Sequence, residues 1–502
     1  MHSKEKIFDI LKKKDVLFVS TLAGKSIKSR MMHFYANDDF SIYVASMKND
    51  PKIHQILINS NISMLIHVEE KELGDSKEIE ISGNASLVED EKEREIALKA
   101  LSTKSPVVKY LVDSGNSGLL HCLKIIPFSI KYRIFKEIVQ GTPPTVIEFP
   151  ENISISDDWK KFKSKLKVWF TELRAPFLTA SVIPVLLGTS IAWYHLKKID
   201  FISFILTLLG GVFLHLGCNI VNDYFDHKSL NDDINREFVR PFSGGSRMIQ
   251  LGLLSPLEVF SGGMFFFILG SGIGIYLTIV KGWQILALGL VGVISSFFYV
   301  APPFNWASRG FGELLVGLNF GTLITLGAYF VQAQKFSTEA LIASLPVALL
   351  IAGVLYINEF PDYNADKAVG KNTLVVRLGR KNAAKLYIAI ISLTYIIVLI
   401  FSLFGKIPLA SIIALSTIPL GIKTIQYAIK YHSSPIDLIP ANAMTILSHM
   451  FTGILLGLSF LFYNNLYLSV SFLILFFFLI FYYIRKIEKR SKVMKGVQQT
   501  VS

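Results

Sequence analysis

The chain has 502 residues, of which 51% are hydrophobic and 12% aromatic, with a mean hydropathy of +0.47 and only 18% charged residues. This composition is too apolar for an ordinary soluble protein, and it excludes a disordered chain, a collagen and a nucleic-acid-binding tail. The formal net charge is +13, but residues 1–150 hold 21 Lys/Arg and 20 Asp/Glu, so an excess of +12 lies in residues 151–502. Membrane topology explains basic residues among long apolar runs better than a nucleic-acid partner does.

The N-terminal 18 residues carry charges throughout, which is unlike the apolar core of a cleaved signal peptide. We therefore expect the first domain to stay in the cytoplasm. The two cysteines, Cys122 and Cys218, lie in different halves and in no metal-ligand spacing. Neither a disulfide framework nor a zinc site is predicted.

Residues 1–142 alternate between short β-rich runs and helical patterns, which predicts a compact α+β domain with an antiparallel sheet or barrel. The predicted strands are 15–22, 27–35, 40–46, 62–68, 78–88 and 123–135, and the predicted helices are 3–13, 49–59 and 90–112. Residues 143–170 are predicted to form a linker followed by a basic helix over 159–170. In that helix Lys alternates with aromatic and aliphatic residues, a pattern typical of a helix lying at a membrane interface.

Residues 171–490 contain repeated apolar stretches of about 20 residues, the length that crosses the hydrocarbon core of a bilayer. We predict an all-α membrane bundle of nine or ten transmembrane helices. The predicted spans are 175–195, 201–221, 257–280, 283–301, 311–331, 341–360, 385–405, 408–428, 442–463 and 466–484. The predicted fold class is therefore multi-domain, a split β-barrel followed by a polytopic membrane bundle.

The basic residues favour one side of these spans. With a cytoplasmic first domain, the inner loops are 222–256, 302–310, 361–384, 429–441 and the tail 485–502. These loops carry most of the basic residues of the membrane domain, whereas the outer loops carry only Lys197, Lys198, Lys281, Lys335 and Lys406. The positive-inside rule then places the tail, like the first domain, in the cytoplasm.

Two acidic clusters, in 219–245 and 357–381, lie at the predicted cytoplasmic ends of spans. On a helix Asp223 and Asp226 share a face, as do Asp362 and Asp366. Two like charges ~4 Å apart repel by about 4 kcal/mol at an effective dielectric of ~20, and a shared divalent cation removes that repulsion. Carboxylate oxygens on two facing helices suit Mg²⁺, which commonly bridges carboxylates to phosphates. The four aspartates are the predicted metal-binding and catalytic residues.

Basic residues follow these acids closely, as a site for an anionic ligand requires. The candidates are Arg240, Arg247, Lys371 and Arg377. Solvated loops with topological lysines and arginines are the alternative interpretation of any one of these residues, and we prefer it for Arg380 and Lys381.

The segment Asn222–Asp226 resembles the NDxxD motif of the intramembrane aromatic prenyltransferase (UbiA) superfamily, and Asp362 and Asp366, followed by Lys371 and TLVVRLG, resemble its second motif. The resemblance covers roughly residues 170–465. Residues 172–188 are similar to the first helix of that family, which implies that Arg174 contacts phosphate. Asn219, one turn before Asn222, is a further candidate contact. Residues 299–332 resemble the branch that prenylates 1,4-dihydroxy-2-naphthoate in menaquinone synthesis.

The resemblance implies Mg²⁺-dependent transfer of a polyprenyl group from an allylic diphosphate to an aromatic acceptor, with dihydroxynaphthoate favoured. Other acceptors remain open: 4-hydroxybenzoate, geranylgeranylglyceryl phosphate or a tetrapyrrole. Tyr299 could stabilise the allylic cation or orient the acceptor, whereas His215 and His227 are weaker candidates for a base. A transporter with a flavin-binding regulatory domain is the alternative from another class; it predicts charges deep within the spans and related halves.

This sequence departs from the family pattern at two places. The family's usual third acid is Leu230 here, so Asp232 or Asp233 would have to substitute. Pro361 stands where the naphthoate branch often has a basic residue. Both changes bear on the identity of the acceptor more than on the chemistry of the diphosphate.

Residues 26–68 of the first domain resemble the FMN-binding split barrel of pyridoxamine 5'-phosphate oxidase-like proteins. That resemblance implies that Arg30, Ser46, Lys48 and Lys52 help to hold a flavin phosphate. A cofactor-free barrel that serves as a scaffold is the alternative. The expected partners of the whole chain are a polyprenyl diphosphate, an aromatic acceptor and the lipid bilayer, and no nucleic acid.

Overall fold

A computed structural model of the chain describes residues 2–23, 26–48, 50–149 and 157–501, without the side chains of 2–3, 73, 157–161 and 492–501. The chain forms two compact units: Met1–Phe170 with Leu251–Ser255, and Thr171–Gln250 with Pro256–Ser502. Part of the predicted linker, residues 150–156, lies outside the described residues.

The first unit contains a closed barrel of six antiparallel strands, as predicted. Its strands follow the order β3-β2-β1-β4-β5-β6, a pairing of β3 with β6 closes the barrel, and β7 adds to the free edge of β6. The strands are β1 (Val16–Ala23), β2 (Ser26–Ala36), β3 (Ile42–Met47), β4 (Asn61–Val68), β5 (Lys77–Leu87), β6 (Leu120–Ile134) and β7 (Thr145–Glu148).

The alternation of side chains explains why these segments form strands. In β4 Ile62, Met64 and Ile66 are buried in the barrel core, while Leu65 between them faces outward. β7 falls within the segment predicted as linker; it pairs with β6 because Ile147 buries its side chain in the same core.

Six helices complete this unit: α1 (His2–Lys13), α2 (Pro51–Ile58), α3 (Glu91–Ser102), α4 (Pro106–Asp113), α5 (Phe135–Val139) and α6 (Asp157–Glu172). The single helix predicted over 90–112 is wrong, because the structure has two. Ser105 caps α4 by accepting a hydrogen bond from Val108 N, and Pro106 occupies the first turn, so the chain stops one helix and starts another. The basic segment predicted as a helix over 159–170 lies within α6.

The second unit is entirely helical. Its helices are α7 (Thr179–Leu196), α8 (Phe201–Lys228), α9 (Asn231–Ile234), α10 (Pro256–Lys281), α11 (Trp283–Phe297), α12 (Gly312–Gly317), α13 (Ile324–Ala333), α14 (Thr338–Ala368), α15 (Leu374–Leu403), α16 (Ile418–Tyr431), α17 (Ile439–Leu461) and α18 (Leu466–Val501). In the described residues, nine helical segments are long and apolar enough to cross a membrane. The shorter apolar helix α11 corresponds to the predicted span 283–301.

Both acidic clusters lie in the last turns of long apolar helices. Asp223 and Asp226 lie near the end of α8, and Asp362 and Asp366 lie near the end of α14. A helix C-terminus carries a partial negative charge, so carboxylates there are disfavoured unless cations lie nearby. These carboxylates therefore need positively charged groups nearby at this end of the second unit.

Candidate functional site

The second unit encloses a polar cavity of about 1200 Å³, including the part open to solvent, where the ends of α8 and α14 face each other. Carboxylates from both predicted clusters line it. The charged and amide side chains of the lining are Arg174, Asn219, Asn222, Asp226, Asn231, Asp232, Asn319, Asn358, Glu359, Asp362, Asp366 and Lys371. The remaining wall is largely apolar, and Tyr299 is part of it.

Lys371 connects the two acidic clusters. Its Nζ lies 3.2 Å from Asp226 Oδ1 and 3.8 Å from Asp366 Oδ1. Burial opposes the charge of this ammonium, but the Asp226 and Asp366 carboxylates outweigh burial and raise the pKa of Lys371. The lysine is therefore a fixed positive charge between the two motifs.

Arg174 neutralises the remaining aspartate of the first motif. Its backbone has a left-handed conformation (φ 48°) just before α7, and its guanidinium donates to Asp223 Oδ1. Asp223 Oδ2 accepts a hydrogen bond from Ser246 N at 2.9 Å, so Asp223 lies behind the cavity lining. Glu172, which no sequence motif indicates, accepts a hydrogen bond from Ser246 Oγ. Burial and the nearby Asp223 raise the pKa of Glu172 to about 8.

The loop after α8 binds the second motif. Asn231 Nδ2 donates to Asp366 Oδ1 at 2.9 Å, and Asn235 Nδ2 donates to Asp362 Oδ1 at 2.6 Å. Gly244 N donates to Asp362 Oδ2 at 3.3 Å. The amides of this loop, which the sequence analysis did not identify, thus hold the carboxylates of α14 in place.

Asp232, in the same loop, contributes a further carboxylate to the cavity. It is 3% exposed, and its Oδ2 has no hydrogen-bond partner among the described residues. Burial and the neighbouring Asp226 raise the pKa of Asp232 to about 8. Of the two candidates for the family's third acid, Asp232 lines the cavity, whereas Asp233 pairs with His227 at 2.9 Å.

This carboxylate set fits a cation that also binds phosphate. No three His, Cys, Asp or Glu side chains of the described residues form a ready-made metal cluster. Mg²⁺ needs none, because it usually takes one or two carboxylates and completes its shell with water and phosphate oxygens. An unpartnered buried oxygen of Asp232 in the same cavity as Asp226, Asp362 and Asp366 provides such ligands.

The loop backbone approaches this carboxylate closely. A Cβ on Gly245 would lie 2.5 Å from Asp232 Oδ2 and 3.1 Å from Asp223 Oδ1, and φ at this residue is +68°. Only glycine tolerates both the conformation and the close approach.

Three of the predicted basic residues do not line the cavity. Arg240 is exposed at the surface. The buried Arg247 donates to the backbone oxygen of Asp232, and its guanidinium lies 4.3 Å from the Phe238 ring centroid, so it supports the loop that carries Asp232. Arg377 donates to the backbone oxygens of Asn372 (3.0 Å) and Arg309 (2.7 Å), and thereby ties two loops together.

The other polar residues of the cavity differ in how firmly they are held. Asn222 Nδ2 donates to Asp226 Oδ2 at 2.9 Å, whereas Asn219 Nδ2 has no partner among the described residues. Burial and Glu359 raise the pKa of Tyr299 well above its usual value, so this phenol stays neutral. His215 lines the cavity with its Nδ1 2.8 Å from Ser181 Oγ.

A second, apolar cavity of about 890 Å³, the apolar groove, shares part of the lining of the first. His215, Ser296, Asn319 and Phe320 line both. The apolar cavity runs between α8, α10, α11 and α13, and seven glycines contribute to its wall: Gly210, Gly211, Gly270, Gly274, Gly289, Gly292 and Gly327. An extended hydrocarbon chain that starts in the polar cavity could continue here.

The first unit has a cavity of its own, of about 1020 Å³. Lys48, His54, His121 and Lys167 line it, and burial together with the positive charge of Lys48 and Lys167 lowers the pKa of His121. A cavity of positive potential suits an anionic group such as a phosphate. His54 Nδ1 is buried without a hydrogen-bond partner among the described residues, which also fits a ligand.

Of the four residues implied by the split-barrel resemblance, only Lys48 lines this cavity. Arg30 donates to Gln55 Oε1 at 3.0 Å and to Thr21 Oγ1, and Lys52 pairs with Asp50 at 2.9 Å. Ser46 is buried. Arg30 and Lys52 therefore have protein partners already.

Comparison with known proteins adds three findings. A family model described as the UbiA prenyltransferase family matches residues 181–443. The chain is 26% identical over 284 residues to the 1,4-dihydroxy-2-naphthoate octaprenyltransferase of Bacillus subtilis (strain 168), covering 57% of this chain and 89% of the relative. It is also 26% identical over 294 residues to the 2-carboxy-1,4-naphthoquinone phytyltransferase of a Synechocystis species, covering 58% of this chain and 92% of the relative.

Among solved structures, General Stress Protein 26 from Bacillus anthracis matches 30% of this chain and 100% of its own length, with 26% identity and a TM-score of 0.24.

We predict that Lys371→Met lowers the melting temperature of the purified protein, because it leaves Asp226 and Asp366 buried without their cation. Breaking a buried ion pair in this way costs about 3 kcal/mol. Added Mg²⁺ should restore part of the loss. Lys381→Met, at an exposed position of α15, is the matched control. Equal melting temperatures for the two variants in the absence of Mg²⁺ would show that Lys371 does not compensate the carboxylates.

Proposed function

Because the chain belongs to the UbiA prenyltransferase family, we propose that this aromatic prenyltransferase uses Mg²⁺ to transfer a polyprenyl group from its diphosphate to 1,4-dihydroxy-2-naphthoate. The observation that carries this proposal is one cavity in which two carboxylate clusters, a lysine and an arginine converge beside an apolar groove. A diphosphate needs the charged part and an isoprenoid needs the apolar part.

The diphosphate is held by residues from several elements. Lys371 and Arg174 supply fixed positive charge in the cavity, and Asn219 Nδ2 supplies a donor that has no partner among the described residues. Asp226, Asp232, Asp362 and Asp366 would hold Mg²⁺, which would supply Lewis-acid stabilisation of the negative charge on the leaving group. Positive charge that is already in place at the leaving oxygen lowers the barrier to C1–O cleavage.

The same cavity protects the allylic cation that cleavage produces. Phe177, Val316, Phe320, Ile351 and Val354 line the wall away from the carboxylates, so little water reaches C1. Tyr299 presents a neutral aromatic ring there, which suits a cation. The electron-rich ring of the acceptor then bonds to C1, and the attacked ring carbon loses its own substituent, a proton or the carbon dioxide of a carboxylate, to restore aromaticity. The diphosphate that left on C1–O cleavage is released as the second product.

The names of the similar proteins support a naphthoate acceptor, and residues 299–332 resemble the naphthoate branch. Other acceptors remain the alternative within the same reaction class, as Pro361 differs from that branch. A transporter is disfavoured because the acidic residues of both motifs cluster at one end of α8 and α14.

The distribution of Lys and Arg among the loops supports an orientation with the cavity entrance, the first unit and the tail in the cytoplasm. Polyprenyl diphosphate and acceptor would then be drawn from the inner leaflet and the cytoplasm.

The assay that tests this function uses the purified full-length protein in detergent with Mg²⁺, a polyprenyl diphosphate and a panel of aromatic acceptors. We expect prenylated product and diphosphate release, with dihydroxynaphthoate preferred. Asp362→Asn and Asp226→Asn should each lower kcat by about 100-fold or more, since each removes charge that stabilises the transition state. Asp233→Asn, whose carboxylate is outside the cavity, should retain activity. No turnover with any acceptor would overturn the proposal.

A second prediction concerns the apolar groove, which we propose holds the isoprenoid chain. Gly274 lines the groove and has open space around its Cβ position, so Gly274→Leu should fill the groove without a clash. We expect KM to rise for long polyprenyl diphosphates and to stay unchanged for short ones. Gly272→Leu is the matched control, since this position on the same helix also has open space but does not line the groove. Equal chain-length profiles for both variants would exclude the groove.

For the first unit we propose that the cavity beside Lys48 binds the phosphate of a flavin. Titration of the full-length protein with FMN should give saturable binding, followed by flavin fluorescence. Because the pKa of His121 is lowered, this imidazole is neutral at neutral pH and becomes cationic only in acid, so FMN affinity should increase as the pH falls. Lys48→Met should weaken binding, and Lys99→Met on the exterior of α3 should not. A protein that binds no FMN at any pH would indicate a cofactor-free scaffold.

A further inference from the structure

Two buried glutamates of the second unit remain outside the functions assigned so far. Glu359 on α14 is 8% exposed and lines the polar cavity, and Glu313 at the start of α12 is 3% exposed. Both oxygens of Glu313 and the Oε2 of Glu359 have no hydrogen-bond partner among the described residues. A buried carboxyl oxygen without a partner destabilises the fold, so its retention at a cavity wall points to a ligand.

Glu359 lines the polar cavity, whereas Glu313 does not. Glu359 Oε2 is therefore the unpartnered buried acceptor that a ligand in the cavity can reach.

The position of Glu359 along α14 fixes its depth in the site. It precedes Asp362 by three residues, so it lies on the same helix face about 4.5 Å further from the helix end at 1.5 Å per residue. Asp362 belongs to the part of the cavity that holds metal and diphosphate. Glu359 is thus one turn deeper, toward the apolar wall that contains Ile351, Val354 and Leu355.

That depth is where an acceptor ring must lie to reach C1 of the prenyl chain, since C1 is bonded to the diphosphate. The ligand group at Glu359 must donate a hydrogen bond, because a carboxylate oxygen only accepts one. Tyr299 extends the same wall: its Oη would lie 3.3 Å from a Cβ on Gly312, the residue before Glu313. A phenolic or naphtholic hydroxyl meets these requirements.

We propose that Glu359 binds the hydroxyl group of the aromatic acceptor and selects hydroxyarenes over analogues that lack the donor. This inference rests on the proposed prenyl transfer, whose substrate class it narrows. A site built to hydrogen-bond a substrate hydroxyl discriminates strongly against an analogue without it, because its buried acceptor is then left unpaired.

The test compares hydroxy and methoxy acceptors at equilibrium and in turnover. The full-length protein is titrated calorimetrically with 1,4-dihydroxy-2-naphthoate and its 1,4-dimethoxy analogue, and with 4-hydroxybenzoate and 4-methoxybenzoate. The wild type should prefer the hydroxy member of at least one pair by about 100-fold. Glu359→Leu should reduce that preference to below about 5-fold, and Glu359→Gln, which keeps one acceptor oxygen, should retain part of it.

Two controls separate recognition from folding. The affinity for a polyprenyl diphosphate with Mg²⁺ should stay within about twofold of the wild type in every variant, which reports an intact charged site. Glu339→Leu lies on the same helix, but its carboxylate contacts His195 outside the cavity, and it should keep the preference.

The outcomes also separate this inference from the proposed function. Selective binding that depends on Glu359, without transfer to any acceptor, supports the inference and contradicts the proposed function. Transfer with a preference that Glu359→Leu leaves unchanged contradicts the inference alone. Loss of diphosphate affinity in Glu359→Leu would assign the residue to the metal site instead, and a wild type that binds none of the four acceptors would overturn the inference.

Discussion

The burial of carboxylates at the C-terminal ends of α8 and α14 is the constraint on which the second unit depends. Helix dipoles and like charges both oppose this arrangement, and the low dielectric of the surroundings strengthens the repulsion. Lys371 and Arg174 offset part of it by direct contact with Asp226 and Asp223. The unpartnered oxygen of Asp232 shows that protein cations alone do not satisfy the cluster. Such a site is prepared for a cation that arrives together with its phosphate ligand.

The remaining features of the second unit fit the substrate of the proposed function. Apolar side chains would exclude water around the reactive carbon, and the glycine-rich groove has room for a hydrocarbon chain beside it. Because glycine has no side chain, the glycines that line the groove leave its interior open. The charged end and the apolar end are thus parts of one cavity system, and in the proposed function α14 carries both the metal-binding and the acceptor-binding residues.

Much of this organisation could be predicted from the sequence, because it follows from local patterns. Alternating side chains predicted the strands of the barrel, and long apolar runs predicted the helical spans. The spacing of Asp223 and Asp226 placed the two on one helix face, but contacts that join distant segments were not predictable. Glu172, Asn235 and Gly245 become part of the site only because the loop after α8 folds back onto α14. The same folding gives Arg247 a role in supporting the loop rather than a place in the cavity.

The central claim is that both acidic motifs, together with a divalent cation, form one diphosphate site. Its most direct test is the affinity of the purified protein for an unreactive thiolodiphosphate analogue of the prenyl substrate, measured calorimetrically with and without Mg²⁺. The account predicts tight binding with Mg²⁺, at least about 100-fold weaker binding without it, and the same loss whether Asp226 or Asp362 is changed to Asn. Binding that is independent of Mg²⁺, or that depends on only one of the two motifs, would contradict it.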